Sequence, residues 1–364
     1  MKLRPLLLTL AVLIPVAGAV WWFQRPAPAT QNADARIGQR VADPAVLAGA
    51  TKVRIKASGK TLELSRADAS TNRWNLAAAA PGEPALPADS TRLSRLAADL
   101  VSPRIERLVT TNPTRIATLG LDDSALTFLD AGGQSLLALD LGKNADGGGR
   151  FLRYGTEPKA YLVRLNAPLD ADATGWRDTT LIPALKAEDV ASIAFLLAGS
   201  PTPVAVSRPD AKSPWTSPAA PAGHQVKTST VTTQLTNLTG LRYTAFAPVF
   251  DPAVVAARIL TRDVTLTTFD GRTVKIALGR APEPPKPAKP STPPADGATP
   301  PSEPPATPRP VYAEITDSKP DVTLAAAAKT RAFEVAEYIH TALPAKSADL
   351  FEPVPAPPAP ISKP

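Results

Sequence analysis

Cysteine is absent from the 364 residues, histidine occurs twice and methionine once. The first absence excludes disulfides, a cysteine nucleophile, thiolate metal sites and a lipid-modified cysteine anchor, so packing alone must hold the folded parts together. The two histidines, His224 and His340, lie apart from other metal-binding residue types at ligand spacing, and neither makes a motif. Both are read as solvent-exposed, His224 in a Pro/Ala/Gly loop and His340 in a polar turn of the last helix. Also missing are a Gly-x-Ser-x-Gly nucleophile elbow, a phosphate-cradling Gly-x-x-x-x-Gly-Lys and a Ser-x-x-Lys in the setting of penicillin-binding enzymes. No catalytic, cofactor-binding or metal-binding residue is assigned, and the chain is expected not to be an enzyme.

Blocks of like charge are missing as well. The net charge is +7, but Lys and Arg alternate with Asp and Glu along the chain. A nucleic-acid-binding surface needs a clustered basic face, so nucleic acid is not expected as a partner. Hydrophobic runs of membrane-spanning length are limited to one. After Lys2 and Arg4, an apolar stretch from Pro5 to Phe23 is long enough to cross a bilayer of ~30 Å. Trp21, Trp22 and Phe23 suit the aromatic belt of an uncleaved anchor, whereas Ala17-Gly18-Ala19 suits a signal-peptidase site. Residues 1–25 are thus a transmembrane anchor or a signal. In either case the basic start places the N-terminus in the cytoplasm and the bulk of the chain in the periplasm or outside the cell.

What is present twice is a string of features about 140 residues apart, close to one domain length. Val53 and Ile55 lead into Leu62, Leu64 and Arg66, then Trp74 and, after a helical stretch, Asn112-Pro113. Ile193 and Phe195 lead into Val204, Val206 and Arg208, then Trp215 and Asp251-Pro252. Leu126–Asp130 through Leu141-Gly142 is echoed by Leu266–Asp270 through Leu278-Gly279. The fold expected is α+β: a tandem duplicated domain, each copy a mainly antiparallel sheet with one covering helix, after one N-terminal transmembrane helix. Ser58-Gly59 between alternating runs signals a hairpin, and Leu93, Leu96 and Leu100 share a helix face that Pro103 brings to a stop. Four short apolar runs from Leu126 to Leu165 read as a meander, and Phe333–Leu343 as a helix.

The expected organisation is anchor 1–25, tether 26–39, first repeat 40–185, second repeat 186–345 and a Pro-rich disordered tail 346–364. Many of the 42 prolines crowd into a segment at 281–310, where copy one has only a hairpin loop. Such a composition favours extended chain, and a tolerated surface insertion is the simplest reading. Gly147-Gly148-Gly149 is read as a hairpin loop rather than an anion nest, and Asp122-Asp123, Asp170 and Asp172 as solvated turn acids. Trp74 and Trp215 hold equivalent places, and Trp176 sits between the copies. They are the possible binding aromatics, with closure of a small core as the structural reading.

Taken in order, the membrane segment, the doubled Leu-x-Leu-x-Arg then Trp element, Leu119-Gly120-Leu121-Asp122, Gly142, Arg153-Tyr154 and Trp176-Arg177-Asp178 resemble the bacterial domain-of-unknown-function 4340 family. The likeness covers about residues 45–345. It implies a single-pass envelope protein beside gliding-motility-type ABC transporter components, with permease and ATPase subunits as partners, and it implies no catalytic residues. The expected function is a non-catalytic, membrane-anchored extracytoplasmic accessory protein of an ABC-type transporter or envelope complex. An envelope glycan or lipid binding module is the alternative, and a hydrolase with a noncontiguous site around His224 the second alternative.

Overall fold

A computed structural model of the chain describes residues 34–67, 72–78, 83–165, 167–282 and 309–355. The anchor or signal at 1–25, nearly all of the Pro-rich insertion and the end of the tail lie outside the described residues. Among the described residues no helix is long and apolar enough to cross a membrane.

The first half contains α1 (Pro44–Ala48), β1 (Lys52–Ala57), β2 (Lys60–Arg66), β3 (Trp74–Leu76), β4 (Leu86–Pro87) and α2 (Ser90–Val101). It continues with β5 (Ile105–Thr110), α3 (Pro113–Ala117), β6 (Ser124–Leu129), β7 (Ser135–Asn144), β8 (Arg150–Tyr154) and β9 (Ala160–Val163). The second half contains β10 (Val190–Leu196), β11 (Val204–Ser207), β12 (His224–Val226), α4 (Thr228–Thr239), β13 (Tyr243–Pro248) and α5 (Pro252–Ala257). Then follow β14 (Thr261–Thr268), β15 (Thr273–Arg280), β16 (Val311–Asp317), α6 (Val322–Ala327), β17 (Arg331–Val335), α7 (Glu337–Ala342) and β18 (Phe351–Pro353). These are mainly antiparallel sheets with a few helices, an α+β arrangement.

Two compact units result: the described part of Met1–Ser70 with Ser90–Gly175, and Thr71–Asp89 with Trp176–Pro364. In the first unit the strands run β2-β1-β6-β7-β8-β9-β5, and in the second β11-β10-β14-β15-β16-β17-β13. Every pairing in both is antiparallel. Strand β1 shows why: Val53, Ile55 and Ala57 are buried while Arg54 and Lys56 are exposed, the alternation a one-sided sheet requires. The β1–β2 turn holds Ser58 and Gly59 at φ 51° and 74°, the two left-handed positions that match the twist of a two-residue hairpin.

The helices follow from spacing and caps. Helix α2 buries Leu93, Leu96 and Leu100, and α4 buries Val231, Leu235 and Leu238, one stripe each. Full burial of a leucine contributes roughly 1.5 to 3 kcal/mol, enough to hold a helix that would fray alone. The short α3 and α5 start alike: the side chains of Asn112 and Asp251 accept from the second amide beyond, and Pro113 and Pro252 take the first helical position. Each then presses its C-terminal end onto a strand. A Cβ on Gly142 would stand 2.4 Å from the Leu119 carbonyl oxygen, and one on Gly279 would stand 2.6 Å from that of Ala257. The repeated Leu-Gly pair is therefore a packing requirement, since no larger residue fits under the helix end.

Three expectations change. Residues 71–89 fall within the span expected for the first repeat, yet they group with the second unit: Leu86 joins its core, and Arg331 donates to the Glu83 carboxylate at 2.8 Å. The helix expected at Phe333–Leu343 begins only at Glu337, because β16 and β13 flank β17 and draw Phe333 and Val335 into a strand. The tail expected from 346 is ordered at first. Ser347–Leu350 forms a 3-10 turn and β18 pairs with β12, burying Leu350 and Phe351.

Candidate functional site

The sequence-selected aromatics are all interior. Trp74, Trp176 and Trp215 are 6%, 2% and 7% exposed, so none offers an open ring face for a sugar. Trp215 is instead part of a staple. The Arg208 guanidinium lies 4.5 Å from its ring centre and donates to the carbonyls of Val190, Ala211 and Ala187 at 3.0, 2.8 and 2.9 Å. In the first unit Arg66 donates to the carbonyl of Ala48 at 3.2 Å. The recurrent Arg-then-Trp element in the second unit thus ties a strand to the turn before it.

The histidines part company. His224 is exposed at the start of β12. His340 is half-buried in α7, with its imidazole held below the usual range by burial and by the positive charges of Arg262 and Arg280. Its expected exposure is not found, because α7 turns this face toward the protein. Asp122 and Asp140 both receive Arg153, at 3.2 and 2.8 Å, so these acids serve an ion-pair network. Gly147–Gly149 lies in the loop joining β7 and β8. Among the described residues no three His, Asp or Glu side chains gather closely enough to hold a metal ion.

The site that sequence reasoning missed is in the second unit, where a cavity of about 190 Å³ opens between α5 and α6. Its origin is a gap in the sheet. Strand β16 pairs with β15 along its whole length, from Arg280↔Val311 to Val274↔Asp317. It pairs with β17 only from Val311↔Val335 to Ala313↔Phe333. Continuing that register would set Ile315 opposite Arg331, but there the strands have separated. Glu314, Ile315, Thr316 and Asp317 all line the cavity. Side chains alternate along a strand, so four consecutive lining residues mean that the strand edge itself forms the wall.

The direction of that edge is fixed by its neighbour. The Ser318 amide donates to the Thr273 carbonyl at 2.9 Å, so alternate residues back along β16 point their backbone groups to β15. Ile315 and Asp317 point theirs the other way, into the cavity. Opposite them, Val254 and Ala257 of α5 and Leu324 of α6 supply apolar lining.

Ion pairs hold the walls. Arg272 grips Asp317 through two bonds of 3.1 and 2.5 Å, with side chains 10% and 8% exposed. The Asp317 carboxylate raises the Arg272 guanidinium above its usual range against the opposing effect of burial. Asp321 caps α6 through the Leu324 amide at 2.9 Å and pairs with Arg73 of the 71–89 segment. Arg331, at the far side of the gap, takes Glu83 of the same segment and lies 4.5 Å from the Phe246 ring centre. Tyr312 lines the cavity with its phenol pushed up by burial and by the charges of Glu334 and Asp251.

Beside the cavity, the outer side of α5 and its flanks is apolar and open. Phe250 is 88% exposed, Ile259 70%, Leu260 57% and Val255 51%. An apolar group of this kind on a surface is unusual unless something covers it. The signal was present in the sequence, because Val255 and Ile259 follow the Asp251-Pro252 start at positions that cannot all face a sheet.

No curated protein and no solved structure matches the chain. The family model described as "Domain of unknown function (DUF4340)" matches residues 74–260, from Trp74 in β3 to Leu260 just beyond α5. This is more than half of the chain, and the chain belongs to that family.

Proposed function

We propose that this protein is a membrane-anchored, extracytoplasmic accessory protein without catalytic activity of its own, working with an ABC-type transporter or another envelope complex. The observation that carries the reading is the open apolar surface around α5, with Phe250, Val255, Ile259 and Leu260 beside the cavity of the second unit. A surface of that kind is suited to a protein partner, because burying it removes apolar area from water at roughly 25 cal/mol per Å². The apolar segment Pro5–Phe23 would keep the units at the membrane, close to permease subunits and, through them, to the ATPase.

The two units are copies of one ancestral domain in this reading. The matched strand orders, the Asx-Pro starts of α3 and α5, and the glycines Gly142 and Gly279 under the helix ends support it. Deletion of the gene should impair the assembly or activity of the partner transporter, and the intact chain should restore it. A version lacking residues 1–25 should not. Unchanged assembly and transport in the deletion strain would remove the accessory reading.

A further inference from the structure

We infer that the gap between β16 and β17 is a receptor for an extended peptide segment of a protein partner, which adds to the free edge of β16 and places small apolar side chains in the cavity. This deepens the accessory reading by naming how a partner is held. Ile315 and Asp317 aim their N–H and C=O groups away from β15. The β16–β17 ladder ends before both, at Ala313↔Phe333. Across the gap, Arg331 and Ala332 pair with Pro248 and Ala247 of β13, and the Val249 amide donates to the Thr330 carbonyl at 3.1 Å. By the same alternation, Ala332 is turned toward β13 and Arg331 toward the gap. Two facing stretches of strand therefore present backbone groups to one space.

An extended peptide is the ligand this chemistry recognises. Main-chain hydrogen bonds along a free edge supply affinity independent of sequence, while pockets for alternate side chains supply selectivity. The pocket is there: Val254, Ala257 and Leu324 are buried apolar residues on the two helices that flank the gap. Its volume of about 190 Å³ suits small or medium aliphatic groups rather than a folded domain. Asp317 is engaged by Arg272, Asp321 by Arg73 and Arg331 by Glu83, and at the exposed rim Arg258 and Glu314 lie 3.9 Å apart, so the lining favours an uncharged segment. In the first unit the β8–β9 ladder also stops before the end of β8, at Leu152↔Tyr161, but only Arg153 and Tyr154 of that strand lie beyond it. There the β8–β9 connection is the short turn 155–159, and Tyr154 at the end of β8 donates to the Val41 carbonyl at 2.8 Å.

The test uses the full chain in lipid nanodiscs and a display library of random twelve-residue peptides as the probe. Binders are counter-selected against an Ala325→Trp variant, since Ala325 is an exposed residue of α6 that lines the cavity and a large ring there fills it. The inference expects binders with aliphatic residues at alternate positions, weakened roughly tenfold or more by Ala325→Trp. They should slow amide exchange at Ile315 and Asp317. Binders that leave those amides unchanged, or a selection that Ala325→Trp does not affect, would overturn it. An unchanged melting temperature of Ala325→Trp confirms that the variant is folded. A second variant, Ile259→Glu, separates the two ideas: partner capture lost with Ile259→Glu while peptide binding to the gap persists supports the α5 surface and the gap as distinct contacts. Capture that survives Ile259→Glu, with exchange at Ile315 unmoved by every binder, counts against both.

Discussion

The two units share a strand order, and two of their differences fall on the same side of the second unit. Where the first unit joins β8 to β9 by the turn 155–159, the second joins β16 to β17 through 318–330, which carries α6. The first unit closes that end with chemistry of its own. Arg36 lies 4.0 Å from the Tyr154 ring centre and pairs with Glu157 at 2.5 Å, and Lys159 pairs with Asp34 at 2.8 Å. The second unit leaves a cavity. The other difference is on the short helix: α3 and its start expose Thr111, Thr114 and Arg115, whereas α5 and its flanks expose Phe250, Val255 and Ile259. The same strand order thus carries a polar short helix in one unit and an apolar, exposed one beside a cavity in the other, and the second unit is where a partner-facing role is to be sought.

The contact common to both units is the glycine under the short helix. Gly142→Ala and Gly279→Ala should each destabilise by about 2 to 3 kcal/mol in urea unfolding, because each new methyl meets a helix-end carbonyl that has little room to retreat. Effects of similar size in the two units would show that the helix–strand contact is the same device in both. A neutral result for either glycine would show that the two units pack their helices differently.

Next in size is Asp321→Ala, which removes the cap of α6 and a partner of Arg73 together, at a cost of about 2 kcal/mol. Equilibrium unfolding and exchange across 322–327 should both register it. If α6 keeps its protection in the variant, the wall of the cavity is held by something other than this carboxylate.

Tyr154→Phe should be milder, about 1 kcal/mol, since it removes one buried hydrogen bond to Val41. Burial pushes the phenols of Tyr154 and Tyr161 up to about 12, above the ordinary value of 10. The unfolded chain therefore loses these protons first. The stabilisation is complete below pH 10 and is lost as pH rises through about 12. Absorbance titration of the phenolates beside a thermal-melt series will follow it, and a Tyr154→Phe variant should lose less stability across that window than the parent. The smallest expected effect on folding is that of Ile259→Glu or Phe250→Ser, within about 0.5 kcal/mol, because these side chains are already in water.

Legibility in the sequence tracked locality. The stripe Leu93, Leu96, Leu100 and the Ser58-Gly59 turn each depend on neighbours a few residues away, and each folds as its pattern predicts. The hidden features depend on distant partners. Phe333 and Val335 sit in a strand because β13 and β16 flank them, although Ile339 and Leu343 extend the same apolar series at helical spacing. Leu86 joins the core of the second unit, and nothing within residues 71–89 says which core will receive it. The gap between β16 and β17 was invisible for the same reason: an interrupted ladder leaves no mark in the hydrophobic pattern of either strand. The apolar residues around α5 are plain in the sequence, but only their exposure distinguishes a surface from a core.

The most direct test of a partner-facing second unit is crosslinking of the intact chain in its native membrane, with mass spectrometry of what copurifies, for the parent, Ile259→Glu and Thr114→Glu. The account predicts that permease and ATPase subunits are recovered with the parent and with Thr114→Glu, and are lost with Ile259→Glu. Equal recovery from all three, or loss with Thr114→Glu alone, would contradict it.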